Sequence, residues 1–153
     1  MGDEDVKIER ILVPVDFSDS SQAAVEHAIE LAKVTGAEIH LLHCYPVSPG
    51  IATPYGPALP DVVFQSIREG AERRLAAVRS EVEAAGVTVT AHLTPESAGF
   101  AIAETAEELD VSCIVMGTRG LSGLKHVLLG SVAERTVRTA PCPVFTIPLA
   151  EAA

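Results

Sequence analysis

The chain has 153 residues, 48% hydrophobic and 21% charged, the size and balance of one globular domain spanning residues 1–153, and not of a largely disordered chain. Eleven Lys and Arg against 21 Asp and Glu leave a net charge of −10, which repels nucleic acid and anionic membrane surfaces, so any phosphate site must be built locally from backbone N–H groups and a few cations. No apolar run approaches the roughly 20 residues that span a bilayer, and the acidic start lacks the regions of a signal peptide, so the expected setting is cytoplasmic.

Ile8 to Val15 is a β-branched apolar run ending at Asp16, the pattern of a strand buried on both faces. Ser18-Asp19-Ser20-Ser21 offers N-cap oxygens, Ala24, Ala28 and Leu31 share a helical face, and Gly36 closes that helix. Glu38 to Cys44 reads as a second strand. Pro46 to Pro60, with five prolines, reads as a surface loop. Asp61 to Ala85 is a long helical pattern with Ile67, Ala71, Leu75, Val78 and Val82 on one face, ended by Gly86. Val87 to Leu93 is a third strand. Thr94-Pro95 reads as the start of the next helix, with Thr94 as its cap and Ile102, Ala106 and Leu109 as its buried stripe. Val111 to Met116 is a fourth strand, Ser131 to Thr139 a last helix and Pro143 to Ile147 a last strand.

Strands alternating with helices predict a parallel sheet, and right-handed crossovers place helices on both of its faces. The expected architecture is a doubly wound α/β sandwich of five parallel strands, with ligands outside the C-terminal strand ends. Asp16, Cys44 and Gly117 each end an apolar strand and fall there.

The segment Gly117-Thr118-Arg119-Gly120-Leu121-Ser122-Gly123, followed by Gly130-Ser131-Val132, joins a strand to a helix. Glycines let backbone N–H groups approach a ligand, and the N–H groups of Ser131 and Val132 open a helix whose dipole favours anions. Arg119, Lys125, Arg135 and Arg138 make this the basic part of an acidic chain. The chemistry is that of phosphate binding; the plainer reading is a Gly-rich connection. It is not a Walker loop, having no Gly-Lys-Ser/Thr at that spacing, and it lacks the G-x-G-x-x-G of a dinucleotide fingerprint. Cys44, Cys113 and Cys142 are odd in number, far apart and set in apolar runs, as reduced buried thiols are. His27, His40 and His43 lie in or beside buried elements, His92 falls at a strand end, and no histidine pair has metal-ligand spacing with acid or Cys support.

Gly117-x2-Gly120-x9-Gly130-Ser131, with Ile11-Leu12-Val13-Pro14-Val15-Asp16-Phe17-Ser18 near the start, closely resembles the universal stress proteins. Leu41-Leu42-His43, Val115-Met116-Gly117 and Ala140-Pro141-Cys142-Pro143-Val144 carry the same resemblance, which runs from about Lys7 to Pro148. The glycine pattern resembles that of the family's ATP-binding branch, and the resemblance implies the strand order 3-2-1-4-5 for the five-stranded parallel sheet. The resemblance implies that Asp16 contacts the adenosine, with Pro14 and Val15 lining that wall, and that the backbone of Cys44 reads the adenine edge. It implies that Met116 and Gly117 border the ribose, that Gly120 lies near the phosphates, and that Gly130, Ser131 and Val132 hold them. Arg119 stands where the family varies and is a candidate phosphate contact, as is His126. The plainer roles are a helix cap for Asp16, an inert small residue for Cys44 and packing for Met116.

The implied function is an ATP-occupied regulatory module in the stress response, without catalytic residues or protein metal ligands. Mg²⁺ or Mn²⁺ is expected to bridge the phosphates, since they carry charge that N–H groups alone leave uncompensated. The competing readings are a slow ATPase on the same site and a binder of AMP or a cyclic nucleotide. A phosphorelay receiver would need Asp after the third strand and Lys after the last, where this chain has Leu93-Thr94 and Ile147-Pro148. Adenylyl-transfer enzymes would need a Ser-Gly-Gly or His-x-Gly-His signature in place of Asp16-Phe17-Ser18. The last strand is apolar and bracketed by prolines, an edge that needs covering. The resemblance implies a homodimer that pairs these strands, with higher oligomers possible.

Overall fold

The structure, a computed structural model, describes residues 5–45, 60–119 and 129–149. Gly120, Lys125, His126 and nearly all of the Pro-rich stretch lie outside the described residues. The elements run β1 (Arg10–Pro14), α1 (Asp19–Thr35), β2 (Glu38–Cys44), α2 (Asp61–Ala84), β3 (Val89–Thr94), α3 (Ala98–Glu108), β4 (Cys113–Gly117), α4 (Ser131–Thr139) and β5 (Val144–Ile147). The strands form one parallel sheet in the order β3-β2-β1-β4-β5, the order the resemblance implies.

Two apolar layers explain why the inner strands read as unbroken hydrophobic runs. Ile11, Val13, Ile39, Leu41 and Val115 pack with Ala24, Ala28, Leu75 and Val82 of α1 and α2. Their strand neighbours Leu12, Leu42, Ile114 and Met116 point to the other face, against Ile102 and Ala106 of α3 and Ala133 of α4. Both faces being covered, the period-two alternation is masked. Among the described residues no helix is long and apolar enough to cross a membrane.

Local signals set most of the ends. Ser18 caps α1 by accepting from Ser21 N–H at 3.2 Å, and Gly36 closes it with φ of 77°. Gly86, at φ of 83°, follows the C-cap of α2. Only Gly enters that left-handed region without a Cβ penalty.

Three expectations are corrected. Thr94 does not cap a helix. It is the last residue of β3, paired with Cys44, and its carbonyl accepts from Tyr45 N–H at 2.9 Å. Helix α3 begins after Ser97, so Thr94-Pro95 is the exit from a strand. On α2, Ala71, Leu75 and Val82 are buried, but Ile67 is 37% exposed because the stripe drifts outward toward the N-terminus. His92 sits within β3 rather than at its end. The last strand does lie at the sheet edge, with Phe145 44% exposed.

Candidate functional site

β1 and β4 are neighbours whose following helices cover opposite faces, so the chain parts between their C-terminal ends. A cleft of about 310 Å³ opens there, within the usual range of small-molecule sites. Pro14, Val15 and Asp16 come to it from the end of β1, Cys44 from β2, Met116, Gly117 and Arg119 from β4 and beyond, and Gly130, Ser131 and Val132 from the start of α4. Every sequence-derived site residue within the described part therefore lines one cleft; Gly120 lies outside that part.

The two helix starts at this cleft differ. In α1, the Ser18 side chain already takes an N–H, and Asp16 Oδ1 braces that cap by accepting from the Ser18 N–H at 3.0 Å and from its hydroxyl. Asp16 is thus a support of the cap, not the cap itself, and it also lines the cleft. In α4, the N-cap position is Gly130, which has no side chain to offer, and the first helical bond runs from Glu134 N–H to the Gly130 carbonyl at 2.9 Å. The N–H groups of Ser131, Val132 and Ala133 precede that bond and, among the described residues, meet no capping side chain. Gly130 itself is different: its N–H donates to the Thr118 carbonyl at 2.6 Å, closing the base of the segment between them.

Gly117 is small for a steric reason. A Cβ there would overlap Ser20 Oγ and stand 2.7 and 2.8 Å from the Ser20 carbonyl oxygen and carbon. Helix α1 thus crosses β4 at backbone contact. Ser20 Oγ also accepts from Arg119 N–H at 3.3 Å, which ties the exit of β4 to α1.

The chain matches the universal stress protein family over residues 7–148. It belongs to that family. The universal stress protein MJ0531 of Methanocaldococcus jannaschii is 34% identical over 139 residues, covering 91% of this chain and 81% of the relative. Among solved structures, universal stress protein UspA of Lactobacillus plantarum is 26% identical, with a TM-score of 0.78 over 94% of this chain and 99% of that one. Two further structures share the fold: a universal stress protein in complex with cAMP, 23% identical with a TM-score of 0.66, covers 94% of this chain and 99% of its own. The other, from Archaeoglobus fulgidus in complex with dAMP, is 22% identical with a TM-score of 0.64, over 93% and 98%.

In this universal stress protein family member, sequence reasoning missed part of the cleft wall. Leu42, Ala98 and Ile102 supply apolar surface, and Ser21, Thr118 and Ala133 complete the lining. No alternation in β2 singles out Leu42, because that strand is buried on both faces, whereas Ile102 falls on the buried stripe the sequence shows for α3. Nothing local points α3 at this cleft. The thiol of Cys44 is pushed up to about 11, mainly by burial and then by the nearby Glu96 carboxylate, so at neutral pH it is an uncharged part of the wall.

A second polar cluster also escaped the sequence. His40 Nδ1 and His92 Nε2 are 2.9 Å apart across β2 and β3, and His40 Nε2 lies 2.8 Å from Glu38 Oε1. The carboxylate accepts from His40 Nε2–H. In the neutral pair His40 Nδ1 is then the acceptor of His92 Nε2–H. Among the described residues no group of three or more His, Cys, Asp and Glu side chains is arranged to hold a metal ion.

Proposed function

We propose that this protein binds ATP in the cleft between β1 and β4 and works as a nucleotide-occupied regulatory module. The observation that carries this reading is the open start of α4, where the N–H groups of Ser131 and Val132 face the same cleft as an apolar wall and one carboxylate. An uncapped helix start takes an oxyanion, because its donors are unpaired and its dipole is positive there. A planar base fits the wall of Leu42, Cys44, Ile102 and Met116, and Asp16 accepts from a ribose hydroxyl or the adenine amine. Pro14 and Val15 close the base side, Gly117 borders the ribose, and Ser131 adds its hydroxyl to the phosphate donors. Arg119 adds a cation; Gly120, which the resemblance sets near the phosphates, lies outside the described residues. Gly130 contributes space rather than a donor, since its N–H is engaged with Thr118.

Three N–H groups and one guanidinium leave a triphosphate undercharged. Mg²⁺ or Mn²⁺ bridging the phosphates supplies the remainder, and such an ion takes phosphate and water oxygens without a protein cage. Among the described residues, the titratable side chains that line the cleft are Asp16, Cys44 and Arg119. The dAMP and cAMP held by the two structural neighbours support an adenine nucleotide. They also make AMP or a cyclic nucleotide the competing occupant. The edge strand β5, with Phe145 exposed, supports a homodimer formed by pairing two such strands.

Nucleotide extracted from freshly purified protein and identified by mass tests the reading, followed by calorimetry with ATP, AMP and cAMP, with and without EDTA. ATP in the extract and EDTA-sensitive ATP binding are expected. Failure of all three nucleotides to bind overturns the assignment.

A further inference from the structure

Among the described residues, the turn that leaves β1 holds the non-glycine residue of positive φ that lies near the cleft. Phe17 has φ of 65°, in the left-handed region, which a residue with a Cβ occupies only when its surroundings hold it there. Two side chains pack on its ring. The imidazole of His43 lies against the Phe17 ring with centroids 4.4 Å apart, and the Arg74 guanidinium of α2 stands 4.4 Å from the centroid. His43 is itself fixed, because its Nδ1–H donates to the Val15 carbonyl at 2.8 Å. Val15 is pinned at its other end by its N–H, which donates to the Leu42 carbonyl at 2.8 Å. Asp16 therefore sits between a pinned Val15 and a clamped Phe17.

We propose that Phe17 is a positioning residue for the ligand: packed against His43 and Arg74, it holds the left-handed turn from which Asp16, its Oδ1 engaged by Ser18, offers Oδ2 to the ligand. This rests on the nucleotide reading of that cleft and adds a residue that touches no ligand. The physical gain is preorganisation. A carboxylate on a free turn must be ordered when the nucleotide arrives, at a cost in affinity, whereas here the ordering is done by folding. The contact also joins α2 to the turn that carries Asp16, since Arg74 packs on the ring.

The test is a double-mutant cycle read by calorimetry with ATP. Phe17→Ala removes the clamp, and Phe17→Gly removes it while allowing the left-handed turn at no steric cost, so the second variant serves even where the first folds poorly. Each is expected to lower ATP affinity about tenfold, the scale of one hydrogen bond to a charged group. In an Asp16→Ala background the same changes are expected to cost less than about twofold, because the group they orient is gone. A ring that only stabilised the fold would cost the same in both backgrounds, and that result overturns the proposal. So does wild-type affinity in Phe17→Gly, which would mean the turn suffices without the ring. Wild-type protein that binds no adenine nucleotide overturns the reading of the cleft and this role together, whereas ATP binding with additive losses overturns this role alone.

Discussion

Gly117→Ala tests whether the cleft depends on backbone contact between β4 and α1. The added Cβ meets three atoms of Ser20, of which the carbonyl oxygen and carbon, at 2.7 and 2.8 Å, are backbone. A side-chain tip can rotate away; a carbonyl inside the first turn of a helix cannot move without the helix. Overpacking of this kind costs typically about 1–3 kcal/mol, and two backbone clashes place this site near the top of that range, at about 3 kcal/mol. Urea unfolding followed by circular dichroism reads the loss. Ser20→Ala in the same chain removes only the Oγ clash and leaves the backbone ones, so it is expected to recover less than half of the destabilisation. Calorimetry on the folded fraction adds a second readout, because displacing α1 moves Ser21 and the Asp16 turn that line the cleft. Gly117→Ala within about 0.5 kcal/mol of wild type, the usual scatter of harmless surface changes, refutes the argument. Full rescue by Ser20→Ala also refutes it, by showing that the backbone was free to yield.

Gly130→Val is expected to fold, since Gly130 has φ of −68° and ψ of 166°, which any residue adopts, yet to lose ATP binding as its side chain fills the phosphate space; unchanged affinity by calorimetry counts against the α4 site. The His92 imidazole is held below its usual value of 6.5 by burial and by its neighbour His40. The unfolded chain then takes the proton first as pH falls, so stability is full above about 6.5, declines from there through the lower folded value, and levels off below it. His92→Gln should flatten that slope in pH-dependent urea melts, and an unchanged slope removes His92 as its source. A charge at Phe145, which is 44% exposed on the edge strand, should convert a sedimenting dimer to monomer; a wild-type monomer at micromolar concentration, or a dimeric Phe145→Asp, places the interface elsewhere.

The sequence carried whatever is decided within a few residues. The β-branched runs of β1 and β4, the Ser18 cap and the glycines after α1 and α2 name their elements, because strand burial, capping and left-handed backbone are local requirements. Their alternation carried the parallel sheet, and the sheet in turn put Asp16, Cys44 and Gly117 at one end. Tertiary structure decided the rest wherever a partner distant in sequence outweighed a local preference. Thr94-Pro95 has the chemistry of a helix start, but pairing with Cys44 kept Thr94 in the sheet. The smallness of Gly117 answers to Ser20, and the His40–His92 contact joins residues 52 positions apart. Ala98 and Ile102 reach the cleft because α3 packs over β2, and Phe17 holds a left-handed turn because His43 and Arg74 grip its ring. Each of these depends on which elements the sheet order brings side by side, and a contact between distant residues leaves no periodicity in the chain for a sequence to display.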